Sequence, residues 1–298
     1  MTGSVAPPYA LRVNQTTTKP LPEVPEVEAT GTTAEIYAGL RRTSGAALVP
    51  LIYRHLATFP GGLEWTWGVI GPFMESGELP ARARRTVGMA VTGELPGLHQ
   101  AVLKLRLGAD GLAGIAKVLD LYNRTNPINI IAVKLARFVL TGETPEPVAA
   151  PMAAPPEAER LAKIPAPPRI VRIQDIPPDL AALVGQLSSP GATAGDRIVP
   201  GLYRHLANWP PYLAAAAQAL HPHYQAGAVA EAAERVRSHA DAEAAGAWAG
   251  LDRGKIAPEE PAGDVRAQMI ASLDTFVSRI PEMVVVGAML RGAMPATE

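Results

Sequence analysis

Apolar residues in this chain recur at spacings of three and four. Ala182-Leu183-Val184 is followed by Leu187, and Leu213-Ala214 by Ala217 and Leu220. A helix of 3.6 residues per turn brings such positions onto one face, so each run predicts an amphipathic helix. The strict alternation of half-buried strands is scarce. Alanine, leucine and arginine, all good helix formers, dominate the runs. Gly and Pro punctuate them at Pro60-Gly61-Gly62, Gly71-Pro72, Pro80, Gly93, Gly108, Pro210-Pro211 and Pro258. The expectation is an all-α chain with no βαβ unit.

Residues 143–168 hold eight prolines in 26 positions. Proline fixes φ and removes an amide donor, so this stretch predicts an extended linker. It separates a first block, 29–142, from a second, 169–298, each with room for roughly four to six helices. Residues 1–28 are rich in Pro and Thr and predict a flexible N-terminal arm.

The blocks match each other. VPLIYRHLATFP (49–60) aligns with VPGLYRHLANWP (199–210) at an offset of 150, with eight of 12 positions identical. Leu119, Asp120, Tyr122 and Pro127 align without gaps to Leu273, Asp274, Phe276 and Pro281 at an offset of 154. Two matches in the same order at nearly one offset indicate a duplication, hence two tandem helical repeats.

Composition narrows the function classes. With 27 Lys+Arg against 28 Asp+Glu, the chain lacks the basic surplus that meets phosphates, so no nucleic-acid partner is expected. It has no cysteine, which removes disulfides, thiolate metal sites and Cys nucleophiles. No apolar run reaches the roughly 20 residues that span a bilayer, and no secretion signal is evident, so no membrane and a cytoplasmic location are expected.

Candidate chemistry sits in the repeated segment and near it. Consecutive helical residues point about 100° apart, so Tyr203, Arg204 and His205 cannot all face one pocket, nor can Tyr53, Arg54 and His55. Arg54 or Arg204 could grip a carboxylate through two parallel hydrogen bonds. Alternatively each Arg ties its helix to an acidic neighbour and each His packs at the block's edge. In NRTNP, Asn126 reads as an N-cap with Pro127 at the first helical position. The second block has Ile280 before Pro281, so the duplicated fold does not require the asparagine, and its amide is free to serve a site. Asp196, in GATAGDR, is a loop carboxylate. His221-Pro222-His223 is too common a pattern to imply metal. Walker, Rossmann, HExxH and GxSxG motifs are missing.

At LATFPGGLEW, NRTNP and LANWPPYL, over roughly residues 30–290, the chain resembles the group I 2-haloacid dehalogenases. That resemblance implies two all-helical repeats forming a pseudo-dimer around one inter-repeat pocket. It also implies no metal and no organic cofactor. Such enzymes hydrolyse carbon–halide bonds: an aspartate of the second repeat activates water, and an asparagine of the first, matched here by Asn126, helps hold the site. The aspartate's ungapped position is Leu202, preceded by Gly201 where the family has serine. A six-residue gap brings Asp196 there instead. The family's pocket aromatics fall near Leu48 and Leu51. The expected substrate site therefore comprises Leu48, Leu51, Arg54, Gly201, Leu202, Tyr203 and Arg204, with Asn126 and Asp196 as the catalytic pair. Two functions follow. One is hydrolysis of a small 2-substituted carboxylic acid. The other is a repurposed member that binds or transforms a different apolar ligand without dehalogenation. A third expectation is an oligomerisation module with solid packing around Leu48, Leu202 and Asn126; a homodimer stays open.

Overall fold

The structure is a computed structural model that describes residues 21–90, 93–146, 163–188 and 199–295. These residues form α-helices joined by short 3-10 turns and loops, with no strand among them. In the first half they are α1 (Gly31–Ser44), α2 (Leu51–Leu56), α3 (Gly62–Glu75), α4 (Glu78–Val87), α5 (Pro96–Lys104) and α6 (Gly108–Thr141). In the second they are α7 (Pro178–Ser188), α8 (Gly201–Leu206), α9 (Pro210–Gln225), α10 (Ala228–Ala249) and α11 (Gly263–Gly292). No described helix is long and apolar enough to cross a membrane.

The two long helices, α6 and α11, pack along each other more extensively than any other pair and form the centre of the core. Ile115, Leu119, Ile130, Ile131 and Leu135 of α6 are completely buried, as are Leu273, Val285 and Val286 of α11. Close packing needs small residues where elements meet. A Cβ on Gly114 would lie 2.5 Å from Cζ2 of Trp209, so this glycine lets the second-half indole sit against α6.

Proline placement departs from the sequence expectation. Asn126 and Pro127 do not start a helix; both lie inside α6, and Pro281 lies inside α11. Gly71-Pro72 likewise falls within α3. An internal proline forfeits one backbone hydrogen bond. In α6 and α11 the long buried faces on both sides outweigh that loss. Asn126 is thus a buried interior residue rather than a cap.

Two stretches expected to be loose are bound where they are described. Within the expected N-terminal arm, the Val24 amide donates to the Arg54 carbonyl at 2.9 Å, and Tyr37 donates to the Val24 carbonyl at 3.0 Å. In the second half the Val171 amide donates to the Arg204 carbonyl at 3.3 Å. Each short YRHL helix therefore carries an extended strap across its carbonyls. At the end of the expected linker, Ile164 is buried and its amide donates to the Gly45 carbonyl at 2.9 Å. Backbone groups near the core need partners, and these segments supply them.

A buried ionic cluster fastens α4 to α10. Arg82, with no exposed surface, donates through Nη1 to Glu243 at 2.9 Å and through Nε and Nη2 to Glu78 at 2.9 and 2.7 Å. Arg85 donates to both oxygens of Glu243, at 2.7 and 2.5 Å.

Candidate functional site

Residues from both sides of the Pro-rich stretch line a partly open cavity of about 320 Å³. The helix period builds its walls. Tyr122, Thr125, Asn126 and Asn129 follow the spacing of three, four and seven that keeps one face of α6 turned to one side. Phe276, Arg279, Ile280 and Met283 do the same on α11. Leu48, Leu51 and Arg54 close the cavity from the first YRHL segment, and Gly201, Leu202, Arg204 and His205 from the second. Pro167, Pro168 and Ile170 of the second strap complete it.

Most of the residues expected at the site therefore lie together: Leu48, Leu51, Arg54, Asn126, Gly201, Leu202 and Arg204 all border the cavity. The expectation of solid packing around Leu48, Leu202 and Asn126 is overturned by that space. Tyr203 is not among the lining residues. It is completely buried, and its hydroxyl lies 3.4 Å from that of Tyr224, which donates to Glu282 at 2.6 Å. The 100° step between neighbours turns it into the core while Arg204 faces the cavity. Asp196 lies outside the described residues.

Sequence reasoning missed Tyr122, Asn129 and the cavity-facing role of His205. For Asn129 a signal was present: it follows Asn126 by three residues, and its counterpart in the duplicated order is Met283. Asn126 and Asn129 are 9% and 5% exposed. The Nδ2 of Asn126 is buried without a hydrogen-bond partner.

The cavity's electrostatics favour an anion. Arg204 donates through Nε to the Val171 carbonyl at 3.0 Å, and no carboxylate among the described residues pairs with it. Burial, above all, lowers its pKa, and the charge of Arg54 adds to this, while Tyr122 and Glu23 oppose it. An arginine starts so high that it stays cationic. Arg54 pairs with Glu23 at 2.8 Å. The cavity's carboxylate, Glu26, is engaged at both oxygens: Oε1 accepts the Val49 amide at 2.8 Å and Oε2 accepts Arg41 at 2.5 Å.

Tyr122 and His205 form a neutral pair, with the Tyr122 hydroxyl 2.8 Å from His205 Nδ1. Burial raises the phenol above its ordinary value, against the pull of Arg204 and Arg54, so it keeps its proton. Burial, followed by the charge of Arg204, lowers His205 to about 4, despite the nearby Pro168 and Gly201 carbonyls. The hydroxyl also fills the space over Gly201, where a Cβ would lie 2.5 Å from it. Any side chain at Gly201, serine included, would have to displace Tyr122.

The His205 shift has a consequence for stability. A depressed histidine pKa favours the fold fully above the unfolded value of 6.5, and the contribution fades as pH falls towards about 4. Urea midpoints should therefore decline across that window. His205→Gln should flatten the decline; an unchanged slope would remove His205 as its cause.

No protein-family model and no curated protein sequence matches this chain. Three solved structures do match in fold. A mutant D-2-haloacid dehalogenase superposes with a TM-score of 0.69 at 20% identity, covering 92% of this chain and 96% of that one. A D-2-haloacid dehalogenase in complex with L-LA gives 0.69 at 19% identity, with the same coverage. A mutant in complex with D-2-CPA gives 0.65 at 20% identity over 91% of this chain and 96% of that chain. At such identities the likeness establishes a shared all-helical fold.

Proposed function

We propose that this chain is a carboxylic-acid-binding protein on the haloacid-dehalogenase scaffold, built from two tandem repeats around a single cavity. The repeated YRHL helices with their straps and the paired proline-containing helices α6 and α11 support the two-repeat reading. The observation that carries the acid-binding reading is Arg204, a guanidinium bordering the cavity with no described carboxylate to neutralise it. Arg54 also borders the cavity, Asn126 adds a polar side chain to its wall, and leucine, isoleucine, methionine and phenylalanine side chains supply apolar surface. This is a mostly apolar pocket with a few convergent polar groups, suited to an acid with an apolar body. It requires no metal or organic cofactor.

The described walls offer no base for water attack. Leu202 occupies the ungapped position of the family aspartate, Glu26 is tied at both oxygens, and His205 is a weak base. The second reading is halide displacement from a small 2-substituted acid, favoured by the fold match to D-2-haloacid dehalogenases. It takes Asp196 as the base and Asn126 as the group that positions water or substrate.

Calorimetric titration with both enantiomers of 2-chloropropionate, and with hexanoate and nonanoate, separates these readings from an empty scaffold. At least one acid should bind, and Arg204→Met should weaken it about tenfold or more, the loss of a hydrogen bond to a charged group. Failure of every acid to bind would refute the proposal. Chloride release abolished by Asp196→Asn would establish the second reading, whereas no release from either enantiomer would remove it.

A further inference from the structure

We propose that the cavity selects an acid that also carries an amide group, read by Asn126 and Asn129 together; this rests on the acid-binding reading above. The two asparagines are three residues apart on α6, which puts their Cβ atoms roughly 5–6 Å apart on one face. Both are more than nine-tenths buried, at 9% and 5% exposure, and both border the cavity. No hydrogen bond engages either side chain among the described residues, and Asn126 Nδ2 is wholly enclosed without a partner. Buried amides left unpaired are costly, and folded proteins retain few of them. Asn126 Nδ2 is one of them, and Asn129 adds a second amide one turn further along the same cavity wall, so a ligand that meets both is called for.

The ligand's chemistry follows from what the pair offers. Two asparagines present N–H donors and carbonyl acceptors at once. A second carboxylate would use the donors and leave both carbonyls unmatched. A lone hydroxyl would satisfy one side chain. An amide, with one acceptor and one donor, engages both.

The opposite wall sets the rest. The counterparts of Asn126 and Asn129 in the second block are Ile280 and Met283, which with Phe276 give the ligand apolar surface to meet. The charged end lies towards Arg204 and Arg54, which border the cavity together with Tyr122 and its partner His205. Tyr122 precedes Asn126 by four residues, about 6 Å of helix rise, which places the amide a few bonds from the carboxylate. A cavity of about 150 Å³ accommodates benzene, so 320 Å³ suits a ligand of roughly twelve non-hydrogen atoms. An N-acyl amino acid with a short chain meets each requirement.

N-pentanoyl-β-alanine and nonanoate have equal chain length and differ by the amide. In calorimetric titrations of the full chain, N-pentanoyl-β-alanine should bind at least about tenfold more tightly, because a site with buried polar groups rejects analogues that cannot pair with them. Asn129→Leu should erase that preference while nonanoate still binds. Thermal melting of the variant checks its folding, and Asn129→Ser replaces it if the leucine does not fold. Nonanoate binding as tightly as the amide acid, or a preference that survives both substitutions, would overturn the inference. If neither acid binds, or if Arg204→Met weakens neither, the failure belongs to the acid-binding reading instead.

Discussion

Glu243→Ala should lower stability by about 3 kcal/mol, read as a fall in the urea midpoint at neutral pH. Removing one member of a buried ion pair typically costs roughly 3–5 kcal/mol, because a charge is left without compensation. The lower end applies here because Glu78 still accepts Nε and Nη2 of Arg82. Nη1 of Arg82 and the partly exposed Arg85 lose their bonds to Glu243, and His239 loses the carboxylate 3.4 Å from its Nε2. The pH dependence carries a second signature. Burial alone would raise the Glu243 pKa, but hydrogen bonds from Arg85 and Arg82 hold it below the usual 4.5. A depressed carboxylate pKa contributes fully above the unfolded value and is lost as pH falls through the folded one. Wild type should therefore lose stability below about pH 4.5 more steeply than Glu243→Ala. A neutral-pH loss under about 1 kcal/mol, within the ordinary surface range, would show that the cluster does not hold α4 to α10.

Leu202→Asp should raise halide release from 2-chloropropionate by about 10² to 10⁴ over wild type, the factor a positioned base supplies. Leu202 has no exposed surface yet borders the cavity beside Gly201 and Arg204. An aspartate there would face the cavity alongside Asn126 and the cavity's arginines, Arg204 and Arg54 among them. The substitution costs the transfer of a buried leucine, of the order of 2–5 kcal/mol, so folding must be checked by melting. Leu202→Asn has a similar shape and the same loss of apolar surface but no base. Equal rates for the two variants would mean that a carboxylate at this position does not act as the base. A wild type already as fast as Leu202→Asp would place the base elsewhere, with Asp196 the first candidate.

Much of this molecule is legible in its sequence. The spacing of apolar residues fixes an all-helical chain, since that periodicity depends only on local geometry. The repeated VPxxYRHLAxxP segment marks two corresponding positions, and each adopts the same short helix, Leu51–Leu56 and Gly201–Leu206. Positions where the halves differ, such as Asn126 against Ile280, pointed to residues that border the cavity.

What the sequence left open depends on contacts distant along the chain. Whether a proline starts a helix or sits inside one turns on how much packing flanks it, so Pro127 was read as a start and is an interior residue. Whether Tyr203 or Arg204 faces the cavity depends on the rotation of a six-residue helix, which its strap and neighbours set. Asn129 gains its place only in the tertiary structure, where it and Met283 of α11 border one cavity. That no described carboxylate pairs with Arg204 is likewise a tertiary fact, because it requires knowing which carboxylates lie near it. Periodicity is local and survives in one dimension; burial, charge pairing and an enclosed volume exist only once α6 and α11 close around the site.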